Sequence, residues 1–365
     1  LSRIGVRLMR EHDGGMSATQ WSAVEAEQGK FDFSHTDRSM AVYKKYNIEL
    51  LPVLGRVEFV EPFRGWTMNE PQPEWVRKLS RHQEPDMGGW NAKHVILPPL
   101  ELWEKYVSAV AEHLKGQIQA YEILNEPNIW SGRSANPDPE RLEVTDIDSI
   151  ARCTLETAEI LRKIDPNAKI AGADPCGTNV AWIESLISKP GVAATLDIIS
   201  EHPYRQLPEL PDYGEDMQSL RKMAARFKTD YKFFATEAGR VYPMNYPDNR
   251  IMPQALKYAA RDVRNEIVGF ANGVDVYFHF AVGIGFCQTG WTVVRTGNGE
   301  NGGEVMPNIC LYAIRAAADR IEDGKPAGQV KLGANFRCYI FDLGTRRTAV
   351  LWKWNGTPEK IEFAK

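Results

Sequence analysis

Two glutamates stand where a parallel α/β barrel keeps its chemistry. Tyr121-Glu122-Ile123-Leu124-Asn125-Glu126-Pro127 is an apolar run that breaks off at Asn, Glu and Pro. Pro127 has no N–H for a central ladder, so a strand ends here with Asn125 and Glu126 at its carboxyl end. The run from Lys232 to Gly239 has the same look and delivers Glu237 into a Gly-containing loop. Paired carboxylates do acid–base and nucleophilic work when their environments differ. The acid needs burial or a nearby negative charge, and the nucleophile needs donors or a cation around it.

Both runs belong to a longer alternation. Seven segments read as strands: 4–9, 49–54, 118–124, 169–174, 196–200, 232–236 and 274–280. Between them, apolar residues recur at three- and four-residue steps, the mark of amphipathic helices. One set is Trp103, Tyr106, Val107, Val110 and Leu114; another runs from Val144 to Leu161, with Asp146 or Thr145 as N-cap. Further helices are expected over 36–46, 180–187, 216–227, 256–267 and 305–321. Strand–helix alternation predicts a parallel sheet wrapped by helices. The fold class is therefore α/β, a (β/α)8 TIM barrel with a small C-terminal β module. A closed barrel needs eight strands, so the first is expected upstream of Leu1. Residues 336–343 and 348–354 alternate about a turn at Gly344-Thr345-Arg346 and read as a hairpin. The domain reading is a barrel over 1–325 and a β-strand module, part of an accessory β-sandwich, over 326–365. Residues 55–99, rich in Pro, Gly and Trp and lacking clear periodicity, read as a functional or decorative loop.

Composition removes several function classes. The 365 residues are 43% hydrophobic and 25% charged, which excludes wholesale disorder. A net charge of −4 supplies no basic field for nucleic acid, and no apolar run is long enough to span a bilayer. Cys153, Cys176, Cys287, Cys310 and Cys338 are scattered without a C-x-x-C pair, so they read as free core thiols. There is no H-x-H, H-E-x-x-H, phosphate-cradling G-x-x-x-x-G-K or G-x-S-x-G. No metal and no cofactor are expected. No signal peptide is visible, but the first residue is Leu1 rather than Met, which reads as a mature or trimmed form, so compartment is not read from the chain; a secreted or periplasmic setting is favoured.

The motifs carry a resemblance. Tyr121 to Pro127 resembles the strand-four motif of clan A retaining glycoside hydrolases, where Asn-Glu-Pro holds the acid/base. Gly5-Val-Arg7, Trp21 through Glu25, and Gly29 to Phe33 look like the strand-two region of that clan, especially glycoside hydrolase family 39 and its relatives. His202-Pro203-Tyr204 resembles its strand six, and Thr236-Glu237 its nucleophile strand. The resemblance implies hydrolysis of a β-linked glycoside with retention, by double displacement. It gives Glu126 as acid/base and Glu237 as nucleophile, with Tyr204 as hydroxyl donor and Arg7 as cation beside it. Asn125 would bind the sugar hydroxyl next to the reacting carbon, and the partner is an oligo- or polysaccharide. Trp291 is expected to line the cleft, because this clan often has a Trp after strand eight.

Blander readings stand beside these. Asn-Glu-Pro alone is compatible with a strand stop carrying a solvated Glu. Glu122 shares a strand face with Glu126 but lies deeper, and reads as a structural interior carboxylate. Asp174, Glu201 and Glu58 also end strands and read as rim or loop contacts. For His202, a structural hydrogen bond and a substrate contact both fit. Trp66, Trp90, Trp130 and Tyr242, like Trp291, fall in loops after strands, where rings could pack locally or stack on sugar faces. The alternative function is a carbohydrate-binding barrel that has lost catalysis.

Overall fold

A computed structural model describes residues 5–11, 18–55, 58–59, 72–79, 81–83, 95–130, 146–205, 207–239, 252–280, 294–296, 305–307 and 309–357. They fall into two compact units, Leu1–Pro203 with Ser219–Glu237, and Tyr204–Gln218 with Ala238–Lys365.

In the first unit, six strands pair side by side in sequence order, all parallel. They are β1 (Leu8–Glu11), β2 (Glu49–Gly55), β3 (Ala120–Leu124), β4 (Lys169–Cys176), β5 (Ile198–His202) and β6 (Lys232–Ala238). The expected first strand, 4–9, begins later and runs to Glu11. β2 to β6 are buried along most of their length, as strands covered on both faces must be. The connections are helical: α1 (Ser34–Lys45), α2 (Leu100–Leu114), α3 (Pro127–Trp130), α4 (Ile147–Ile164) and α5 (Val180–Ile187), with α6 (Tyr213–Ala224) divided between the two units. α2 buries Trp103, Tyr106, Val107, Val110 and Leu114, the stripe read from its spacing, together with Ala111. At the start of α4, Asp146 accepts from the N–H groups of Asp148 and Ser149, both at 2.9 Å. Gly55 ends β2 where the backbone is crowded: an added Cβ would lie 2.8 Å from the Ile123 carbonyl oxygen. Residues 55–99 are less irregular than expected. They contain a helix at Glu74–Leu79 and a small antiparallel sheet of Glu58–Phe59, Val95–Leu97 and Arg81–Gln83.

The segment after β1 is tied down by Glu25, which is buried. Its carboxylate accepts from Trp21 Nε1 and the Gly29 N–H, each at 2.8 Å, and its carbonyl accepts from Trp75 Nε1 at 3.0 Å. Trp21 stacks on Tyr106 of α2 with ring centroids 4.8 Å apart. The aromatic spacing of Trp21 to Phe33 thus serves packing against the barrel wall.

The second unit holds α7 (Met252–Ala271), a seventh strand β7 (Val276–His279), and α8 (Ile309–Ile321) packed on α7. It ends in an antiparallel sheet of β8 (Lys325–Gln329), β9 (Phe336–Asp342) and β10 (Arg347–Lys353), with β9 central. The hairpin read from the sequence is β9–β10, and β8 adds a third strand. β9 lies against α7 and buries Cys338, Tyr339 and Phe341. Trp352 Nε1 donates to Glu209 at 2.6 Å, and Arg337 to Asp212 at 2.9 Å. The architecture is a (β/α)8 barrel with a small C-terminal antiparallel sheet, and seven barrel strands lie among the described residues.

Candidate active site

β3 stops as its sequence requires. Glu122 and Asn125, three residues apart, both reach Arg10, which the two-residue alternation of an unbroken strand would forbid. The chain has left the strand by Asn125, Glu126 turns it with φ of 46°, and Pro127 opens α3. A left-handed glutamate is uncommon, and such strain gathers at functional sites.

Arg10, at the end of β1, is the hub. Its Nε lies 3.0 and 2.9 Å from the two oxygens of Glu122, and a terminal nitrogen also holds that carboxylate. Its other terminal contacts are Glu237 Oε1 at 2.8 Å and Asn125 Oδ1 at 2.7 Å. Burial alone would lower the guanidinium's affinity for its proton, but Glu122 beside it and Glu237 beyond overcome this and raise it. Since Arg10 only donates, the Asn125 oxygen faces it and the Asn125 amide nitrogen is turned away, a donor for a ligand.

His202 ends β5 fully buried. Its Nδ1 is 2.9 Å from Glu126 Oε1 and 3.7 Å from Glu237 Oε2. Glu126, His202 and Glu237 each offer one ligand atom, and these lie within 4.8 Å of one another. Among the described residues no other group of this kind could hold a metal ion. In this arrangement, however, Arg10 already supplies Glu237 with its positive charge.

Asp174, which feels the charges of Glu122, Arg10 and Glu237, is 1% exposed, which corrects its reading as a rim or loop contact. Burial, then Glu122, pushes its carboxyl well above the usual carboxylate range. Ser200 Oγ hydrogen-bonds it and also lies 2.9 Å from the Gly172 carbonyl. Glu201 is likewise buried rather than on a rim. At the end of β1, burial raises Glu11 to about 7 against the pull of the Ala18 N–H, which donates to it at 2.6 Å.

Of the residues singled out in the sequence, Asn125, Glu126, His202 and Glu237 come together, and Glu122 is an interior carboxylate bound to Arg10. Arg7 does not join them: its side chain is exposed and the cation beside Glu237 is Arg10. Tyr204 belongs to the second unit, where its ring meets Phe280 edge-on at 6.0 Å. Trp130 closes α3 in the turn after Glu126. Trp66, Trp90, Tyr242 and Trp291 lie outside the described residues, as does the side chain of Glu58. Sequence reasoning missed Arg10, Asn128 and Cys176. Arg10 follows Arg7 by three residues, and a strand placed at 4–9 left it outside. Cys176 had passed for a core thiol, yet it is only partly buried, and burial, then the charge of Glu126, pushes its thiol up to about 12.

No family model matches the chain. Solved structures do. The GH39 enzyme from Xanthomonas axonopodis pv. citri superposes with a TM-score of 0.62 at 15% identity, over 98% of this chain and 68% of its own. A monomeric β-xylosidase from Caulobacter crescentus CB15 gives 0.60 at 16% identity, over 98% and 70%. A glucosidase from Croceicoccus marinus gives 0.57 at 14%, over 94% and 68%. The fold is that of these glycoside hydrolase barrels. Among the described residues, no helix is long and apolar enough to cross a membrane.

Proposed function

We propose that the chain is a retaining glycosidase acting on a β-linked glycoside, with Glu126 as acid/base and Glu237 as nucleophile. One observation carries the reading: oxygens of the two carboxylates, from the ends of β3 and β6, lie within 4.8 Å of each other. Carboxyl groups about 5–5.5 Å apart suit double displacement, whereas inversion needs roughly 6.5–9.5 Å to admit water between them. Their surroundings also differ. Glu237 is bonded by the Arg10 guanidinium, whose positive charge favours the ionised form a nucleophile needs, while Glu126 is met by the His202 imidazole.

In this reading Glu126 protonates the leaving oxygen while Glu237 attacks the anomeric carbon, forming a glycosyl ester. Glu126 then takes a proton from water, which displaces Glu237 and releases the sugar with its configuration kept. The Asn125 amide donates to the hydroxyl beside the reacting carbon. The work is assigned to a barrel over 1–325, with 326–365 as an accessory β module. Two carboxylates and water complete the cycle, so the reaction needs no cofactor.

Aryl β-xylosides and β-glucosides are the first substrates to assay, given the names of the similar structures. Glu237→Ala should lower turnover on the order of a thousandfold, with azide restoring part of it and yielding the α-glycosyl azide. Turnover undiminished in that variant would remove Glu237 from the mechanism.

A further inference from the structure

Glu126 sits where its own segment of backbone holds it least. Its φ of 46° turns the chain out of β3, and the helix that follows, α3, is four residues long. A single helical turn has too few internal bonds to keep its own course, so the direction of Glu126 must be fixed from outside. Asn128 of α3 supplies that tie. Its Oδ1 accepts from the Cys176 N–H at 2.8 Å, and its Nδ2 donates to the Cys176 carbonyl at 3.3 Å. One side-chain amide thus satisfies both backbone groups of a single residue, as a paired residue on a neighbouring strand would. Cys176 closes β4 after a bulge, where the register slips against β5 and Ala173 and Asp174 take φ of 86° and 49°. Beyond the slip Cys176 pairs with His202, and the Gly177 N–H donates to the His202 carbonyl at 3.0 Å. The path from Asn128 through Cys176 and Gly177 therefore returns to His202, whose Nδ1 is 2.9 Å from Glu126 Oε1.

We propose that Asn128 is a positioning residue for Glu126: by binding both backbone groups of Cys176, it ties the turn that carries Glu126 to the strand ends that carry His202. This rests on the reading of Glu126 as acid/base. Glu126 must give a proton to the leaving oxygen and then take one from water at the same anomeric carbon. Both transfers span hydrogen-bond distances, and a displacement of about 1 Å costs on the order of a hundredfold in rate. A clamp built from a side-chain amide and a peptide holds its place through both steps, because neither partner gains or loses a proton.

The leaving group should decide how much Asn128 matters. A dinitrophenyl glycoside departs without help from an acid, whereas an unsubstituted phenyl glycoside needs one. Asn128→Ala should lower kcat/KM for the phenyl glycoside on the order of a hundredfold and leave that for the dinitrophenyl glycoside within about threefold. On the dinitrophenyl substrate kcat and KM should fall together, since hydrolysis of the glycosyl ester still needs Glu126 as base. Asn128→Asp keeps the acceptor for the Cys176 N–H and should return part of the phenyl glycoside rate. If Asn128→Ala does not fold, Asn128→Asp carries the same comparison, with a several-fold loss confined to the phenyl glycoside. A merely structural amide would lower both substrates alike or neither, and either result overturns the assignment. Glu126→Ala, assayed alongside, should show the same split more strongly. If it does and Asn128→Ala does not, Asn128 alone is misassigned. If Glu126→Ala shows no split, or the unaltered protein cleaves neither glycoside, the acid/base reading fails and the role of Asn128 falls with it.

Discussion

Arg10 bonds Glu237 at 2.8 Å with one terminal nitrogen, while its remaining nitrogens hold Glu122 and Asn125. A single guanidinium from β1 thereby aligns groups from β3 and β6, the two strands whose ends carry the proposed catalytic pair. This matters for stability as well as for chemistry, because the side chain of Glu122 is completely buried.

Replacing Arg10 by Met should therefore be severe. It leaves two buried carboxylates without their counter-charge, a loss of about 3–5 kcal/mol for breaking a buried ion pair. Arg10→Lys keeps the charge but not the planar fork, and should retain part of the stability while lowering turnover. Urea unfolding of the three proteins measures this; Arg10→Met within 1 kcal/mol of the unaltered chain would refute the hub role.

Glu11 gives a pH dependence with a definite sign. Burial raises its carboxyl from 4.5 to about 7 in the folded state, so the folded chain holds this proton more tightly than the unfolded one. Its contribution is fully present below pH 4.5 and is lost as pH climbs to 7, a decline of roughly 3 kcal/mol at most. Glu11→Gln still offers an oxygen to the Ala18 N–H and should flatten that decline. Unfolding free energies collected between pH 4 and 8 would expose the opposite slope if burial is not the cause.

Asp174 should behave as a neutral acid. Ser200 has one hydroxyl proton, and at 2.9 Å the Gly172 carbonyl can only accept it. The proton shared with Asp174 then comes from the carboxyl group. Asp174→Asn supplies an N–H in its place and suits the φ of 49°, so near neutral pH it should lie within about 1 kcal/mol of the parent. Asp174→Ala, which leaves the Ser200 oxygen without the donor it accepts from, should cost about 1–3 kcal/mol. An Asn variant as damaged as the Ala variant would mean that Asp174 is ionised.

Much of this was legible in the chain. The helix of Trp103 to Leu114, the Asp146 cap and the strand stop at Pro127 follow from periodicity and local chemistry. Glu126, Glu237, Asn125 and His202 come together because strand-end positions in a parallel sheet share one rim. What escaped depends on the path of the backbone between those ends. Arg10 was hidden by an early boundary for β1, a small shift that decides which side chain faces inward. Asp174 and Cys176 were hidden by a bulge, since two successive left-handed residues leave no trace in a hydrophobic pattern. Asn128 looked like any residue opening a helix, although it spans to another strand.

The turn at Glu126 has an evolutionary corollary. A left-handed backbone suits glycine freely and penalises any other side chain by roughly 1–2 kcal/mol. Random substitution that favours a sturdier chain would draw this position toward glycine and away from its carboxylate. With Glu126 in its proposed role as acid/base, selection for folding and selection for turnover ask for different amino acids at that single residue.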